Sequence, residues 1–114
     1  MSDEQRAVSV AGDALPTFEK TLLVVLCEAL LEKPLLSLAK RMGALGYTVH
    51  DVRGGGSWGT RDAMWEADRS IEVKFICASA VAKTIANAIV ANYGEDYALS
   101  LYLSPVEVLR GHKY

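Results

Sequence analysis

Cysteine is scarce in this 114-residue chain: Cys27 and Cys77 are the only two, too few to staple a small secreted scaffold. Each lies inside an apolar run, which reads as a reduced core residue of a cytoplasmic protein. A basic surplus is also missing. Lysine and arginine number 12 against 14 acidic residues, for a net charge of -2. That balance counts against a dedicated nucleic-acid binder, which must neutralise phosphates. No apolar run is long enough to cross a bilayer, since the strongest, Thr21–Cys27, is cut off by Glu28. The chain opens on Ser2, Asp3, Glu4 and Gln5, without the basic start and apolar stretch of a signal peptide. The expectation is a soluble, cytoplasmic protein with no membrane insertion.

Constellations for covalent chemistry are missing too. His50 and His112 are the only histidines, and they lack the spacing of a metal pair. No Ser–His–Asp order has supporting context, and Cys27 in an apolar strand is poorly placed for a nucleophile. His50 beside Asp51 reads as a strand histidine hydrogen-bonded to its surroundings. These absences predict a protein that is not an enzyme and carries no metal or cofactor. A small nucleotide hydrolase using Lys74 or Asp51 is one rival, and an adaptor that binds protein without sensing a small molecule is another.

What is present is one strand–helix–strand unit, met twice. Residues 1–18 mix charge with Gly12 and Pro16 without periodicity and read as a mobile tail, leaving 19–114 as one domain. The first strand runs from about Lys20 to Cys27. A helix follows from about Pro34, which suits a first turn, with Leu35, Leu38, Ala39, Met42 and Leu45 on one face. Gly46 is the candidate helix stop, and Tyr47–Val52 the second strand. In the second half Ile71, Val73 and Phe75 alternate with Glu72 and Lys74, the mark of a strand with one wet face. A helix from about Ser79, the candidate N-cap, to Asn92 presents Val81, Ile85, Ala88 and Ile89. Leu99, Leu101 and Leu103 then alternate with Ser100 and Tyr102 in a last strand. The pattern is α+β: a ferredoxin-like split βαβ fold (βαββαβ) with a four-stranded antiparallel sheet and both helices on one face.

That arrangement leaves one sheet face bare, yet the first strand is apolar on both sides. A strand of that kind expects cover on both faces, and each large side chain left in water forfeits roughly 1.5–3 kcal/mol. Self-association is the economical remedy, so a homo-oligomer is expected. The alternative is a monomer capped by its tail or C-terminal segment.

Between the second and third strands lies a long loop, about 53–69, where a hairpin needs only a few residues. It opens Arg53-Gly54-Gly55-Gly56-Ser57 and carries Trp58, Arg61 and Trp65. Successive glycine N–H groups can converge into an anion-binding concavity, with Arg53 and Arg61 as fixed charge nearby. The run matches neither GxxxxGK[ST] nor GxGxxG, and a flexible linker would look similar. The two tryptophans suggest a segment that orders against a partner, unless one folds back onto the domain. The C-terminal stretch from Val106 to Tyr114 reads as a solvated basic tail, and Lys74, on its own, as a surface lysine.

Gly46-Tyr47-Thr48-Val49, the glycine-led long loop, Val73-Lys74-Phe75, Asp96-Tyr97 and Val106-Glu107-Val108-Leu109 together resemble the PII-like signalling proteins over about residues 20–111. The similarity is greatest to the branch associated with bicarbonate transporters and carboxysomes. The resemblance implies a homotrimer with adenine-nucleotide sites in the clefts between subunits, and makes the long loop a T-loop that docks on a target. It implies ADP or AMP as regulatory ligands, with cyclic AMP and ATP as further candidates and bicarbonate as the carbon signal. The implied target is a bicarbonate transporter or a carboxysome-associated protein. By position, Gly46, Tyr47 and Thr48 should lie near the nucleotide, with Lys74 and Arg110 pairing with its phosphates. Arg53, Gly54, Gly55, Gly56 and Ser57 should form the loop base where phosphate and bicarbonate meet. Trp58, Arg61 and Trp65 are then the partner-binding residues.

The nitrogen-regulating members carry a loop tyrosine that is modified and a glutamine associated with 2-oxoglutarate. Here the loop has no tyrosine and no glutamine follows Gln5, which argues against the nitrogen-type alternative of ATP and 2-oxoglutarate sensing. A C-terminal cysteine pair found in some relatives is also missing, so no redox-gated tail is expected. A third phosphate would compete with bicarbonate for the same donors. Bicarbonate binding is therefore expected to couple positively to ADP or AMP and less to ATP.

Overall fold

The computed structural model describes residues 7–8, 15–53 and 69–114. Its elements are β1 (Ala7–Val8), β2 (Thr17–Glu28), α1 (Glu32–Arg41), β3 (Thr48–Val52), β4 (Ser70–Cys77), α2 (Ser79–Tyr93) and β5 (Leu99–Val108). Short 3-10 turns cover Ala29–Leu31 and Gly111–Lys113. The four long strands form an antiparallel sheet in the order β5-β2-β4-β3. This is the expected ferredoxin-like βαββαβ arrangement.

β2 is central: β4 pairs along one edge and β5 along the other, so its backbone N–H and C=O groups are satisfied on both sides. It begins earlier than the sequence pattern suggests, at Thr17, and continues to Glu28. Its Leu23, Val25 and Cys27 face the helices and join Ile71, Val73, Phe75 and Cys77 of β4 in the core. From α1 come Leu35, Leu38 and Ala39, and from α2 Ala82, Ile85 and Ile89. On the opposite face β2 presents Lys20, Leu22, Val24 and Leu26. Within the expected N-terminal tail, Ala7–Val8 pairs with Thr17 and Phe18, beside β2 where β4 has ended.

Several local expectations are corrected. α1 ends at Arg41, so Leu45 lies beyond it and is exposed rather than on its apolar face. Gly43, not Gly46, supplies the turn that stops the helix: its φ of 111° lies in the left-handed region that costs most residues steric strain. The second strand starts at Thr48, not Tyr47. The N-cap of α2 is Ala78, and Ser79 is its first helical residue. The buried stripe of α2 runs through Ala82, Ile85 and Ile89, with Val81 and Ala88 only partly covered. The C-terminal stretch is not a solvated tail throughout, because Gly111 is buried in its short turn.

Candidate functional site

Strand register assembles a cleft on the sheet face opposite the helices. Thr48 pairs with Lys74 and Leu22 with Ile76, so these four side chains stand together. The connection from α1 contributes Leu45, Gly46 and Tyr47 at the rim, and the C-terminal turn contributes Lys113 and Tyr114. The volume of this open cleft is about 340 Å³. A larger cavity of about 760 Å³ lies on the helix side, against Leu36, Lys40, Gly43 and Phe75. Leu45, Gly46 and Tyr47 line both cavities.

Four of the five nucleotide candidates, Gly46, Tyr47, Thr48 and Lys74, therefore meet in one cleft. Arg110 is exposed at the end of β5 and lines neither cavity. Arg53 is likewise exposed, just past β3. Gly54, Gly55, Gly56 and Ser57, and with them Trp58, Arg61 and Trp65, lie outside the described residues.

The cleft is apolar at its floor and cationic at its rim. Leu22 and Ile76 offer surface to a flat ring, and the rings of Tyr47 and Tyr114 flank it. Lys74 and Lys113 bring ammonium groups and Thr48 a hydroxyl, the equipment for a phosphate or carboxylate. Lys74 is held in place by Glu72, whose Oε1 lies 3.2 Å from Lys74 Nζ and 2.9 Å from His50 Nε2. His50 is thus engaged by its surroundings, as expected. Lys113 and Tyr114 read from the sequence as part of a solvated basic tail, since their place in the cleft depends on the chain folding back after β5.

The stems of the long loop are also tied. Arg69 Nη2 donates to Asp51 Oδ1 at 2.9 Å, and the Arg69 carbonyl accepts from Ala29 N at 2.9 Å. Neither cysteine is poised to react. Burial, with Glu28 and Glu32 nearby, pushes the Cys27 thiol up to about 12, and burial raises Cys77 as well. Among the described residues no group of three or more His, Cys, Asp or Glu side chains is placed to hold a metal, and no helix is long and apolar enough to cross a membrane.

A family model, nitrogen regulatory protein P-II, matches residues 20–113. The chain belongs to that family. Among solved structures it is similar to a PII-like signaling protein (TTHA0516) from Thermus thermophilus, at 38% identity and a TM-score of 0.73, over 86% of this chain and 97% of that one. It shares its fold with CPII from Thiomonas intermedia, at 18% identity and a TM-score of 0.74, over 88% and 98% of the two chains. That CPII structure is bound to ADP and bicarbonate, and another holds ADP, AMP and acetate. In this P-II family member the match begins at Lys20, so β1 and the start of β2 precede it.

Proposed function

We propose that this P-II family protein is a trimeric regulator that senses adenine nucleotides, ADP or AMP, together with bicarbonate at clefts between subunits. Ligand binding orders the loop of residues 53–69, which then acts on inorganic-carbon uptake or carboxysome-linked carbon metabolism, in the manner of a carboxysome-associated PII protein. The observation that carries this reading is the cleft itself, where Gly46, Tyr47, Thr48 and Lys74 converge with Lys113 and Tyr114. An apolar floor with aromatic flanks suits an adenine ring, and two lysines suit its phosphates.

Arg53 and the adjoining glycines, Gly54, Gly55 and Gly56, with Ser57, would receive the phosphate end and the bicarbonate. Arg110 would reach a nucleotide from a neighbouring subunit, consistent with its exposure outside its own cleft. Trp58, Arg61 and Trp65 would meet the protein target. CPII, which shares the fold, binds ADP and bicarbonate, which supports this pairing of ligands.

The trimer is supported by the open sheet face. Tyr102 is 51% exposed there, beside the partly covered Leu22, Leu26, Ile76 and Val106. Lys20 and Val24 of the same face are already covered within the single chain, at 2% and 1% exposed, so the open area lies around Tyr102.

Calorimetric titration of ADP with and without bicarbonate tests the reading. Tighter ADP binding in bicarbonate, with a smaller effect on ATP, is expected. Equal affinities in both series would remove bicarbonate from the account, and no adenylate binding would remove the nucleotide.

A further inference from the structure

Glu72 serves two side chains, Lys74 and His50, with a single oxygen. Its Oε1 lies 3.2 Å from Lys74 Nζ and 2.9 Å from His50 Nε2. The Glu72 side chain is largely covered, at 16% exposure, whereas those of Lys74 and His50 are 40% and 46% exposed. Its cross-strand neighbour on β2 is Leu26, and that of Lys74 is Val24, so β2 supplies apolar contacts there rather than a competing charge. On β3 the neighbours are His50 and Thr48. Lys74 therefore stands between a carboxylate on its own strand and the cleft it lines.

An anion entering that cleft meets a lysine already neutralised in part by Glu72. The field of an ion pair falls off faster than that of a lone cation, and a carboxylate repels a second anion at close range. A phosphate gains the full attraction of Lys74 only if the ammonium turns from Glu72 towards it. What that exchange costs depends on what Glu72 keeps, and His50 is already at the same oxygen.

Resting on the reading of this cleft as an anion site, we infer that Glu72 is a resident counter-ion for Lys74 which the ligand's phosphate displaces, with His50 retaining the released carboxylate. Glu72 and His50 are positioning residues: they set the affinity of the cleft through Lys74. The two act with opposite signs. Removing the charge of Glu72 frees Lys74 in advance, while removing His50 leaves Glu72 wholly to Lys74.

The test is calorimetric titration of ADP, and separately of inorganic pyrophosphate, into the full chain and its Glu72→Gln, His50→Val, Lys74→Met and Glu72→Gln/Lys74→Met variants. Melting curves confirm that each variant is folded. Glu72→Gln should tighten binding about two- to fivefold, and His50→Val should weaken it by a similar factor. Lys74→Met should weaken binding about tenfold and abolish the gain from Glu72→Gln, because the two act as a unit. If Glu72→Gln weakens binding or leaves it unchanged, or if its gain survives in the Lys74→Met background, the exchange is overturned while a nucleotide site stands. If pyrophosphate shows the coupling and ADP does not bind, the exchange holds and the nucleotide reading fails. Binding of neither probe overturns both.

Discussion

Gly111 lies flat against the side chain of Phe18: a Cβ at that glycine would stand 2.8 Å from Phe18 Cγ and 3.1 Å from its Cβ. The contact joins the C-terminal turn to the start of β2, on strands already paired through Phe18 and Val108. It brings the chain back so that Lys113 and Tyr114 reach the cleft. The near atoms belong to the base of the Phe18 side chain, so a larger residue at position 111 cannot be accommodated by a swing of the ring tip.

Gly111→Val should therefore cost about 1–3 kcal/mol by overpacking. Because it also displaces Lys113 and Tyr114, ADP affinity should fall with it. Urea denaturation and ADP titration check the two effects. Unchanged stability together with unchanged affinity would show that the turn does not seat the cleft.

Lys113 contributes charge at the cleft rim and no part of the buried core. Lys113→Gln should weaken ADP binding about three- to tenfold, and weaken AMP less, while leaving the melting temperature nearly unchanged. An equal loss for both nucleotides would place Lys113 away from the terminal phosphate.

Tyr102, on the open face of β5, is exposed in the single chain and expected to be covered in the trimer. Tyr102→Asp should leave the subunit fold intact and lower the oligomeric mass measured by light scattering, since an unpaired carboxylate is costly inside an interface. A trimer of unchanged stability would place the subunit contact elsewhere.

The Cys27 thiol has its folded value raised from 9.0 to about 12 by burial. A raised value means that the folded state keeps the proton while the unfolded chain gives it up. The stabilising effect of keeping the thiol neutral is complete below pH 9 and is lost as pH rises from there towards 12. The slope attributable to Cys27 approaches about 1.4 kcal/mol per pH unit in that window. Denaturation from about pH 7 to about pH 10.5, compared with Cys27→Ala, isolates it. The stability difference between the two proteins should be flat below pH 9 and shrink above it. A thiol reagent at about pH 8 should modify both cysteines only on unfolding.

The periodicity of β4 showed in the sequence because burial acts residue by residue: the alternation of Ile71, Val73 and Phe75 with Glu72 and Lys74 states which side is wet. The same logic revealed both helices and the bare sheet face. Helix ends were less legible: a stop depends on one backbone angle, and the sequence pointed to Gly46 where the structure uses Gly43. Four residues of the candidate cleft, Gly46, Tyr47, Thr48 and Lys74, were legible only through the family resemblance of the motifs that hold them; taken alone, Lys74 reads as a surface lysine.

Composition and local pattern alone thus determined the α+β class, the order of the four long strands and two helices and the core-facing side of β4. Cross-strand register and chain return were decided only by the tertiary structure. Register set Thr48 beside Lys74 and His50 beside Glu72 across β3 and β4, and the packing of Gly111 on Phe18 returned Lys113 and Tyr114 to the cleft. The physical reason is range. Propensity and periodicity act over a few residues, whereas the cleft is made by pairings between segments distant in the chain, each fixed by the packing of the whole sheet.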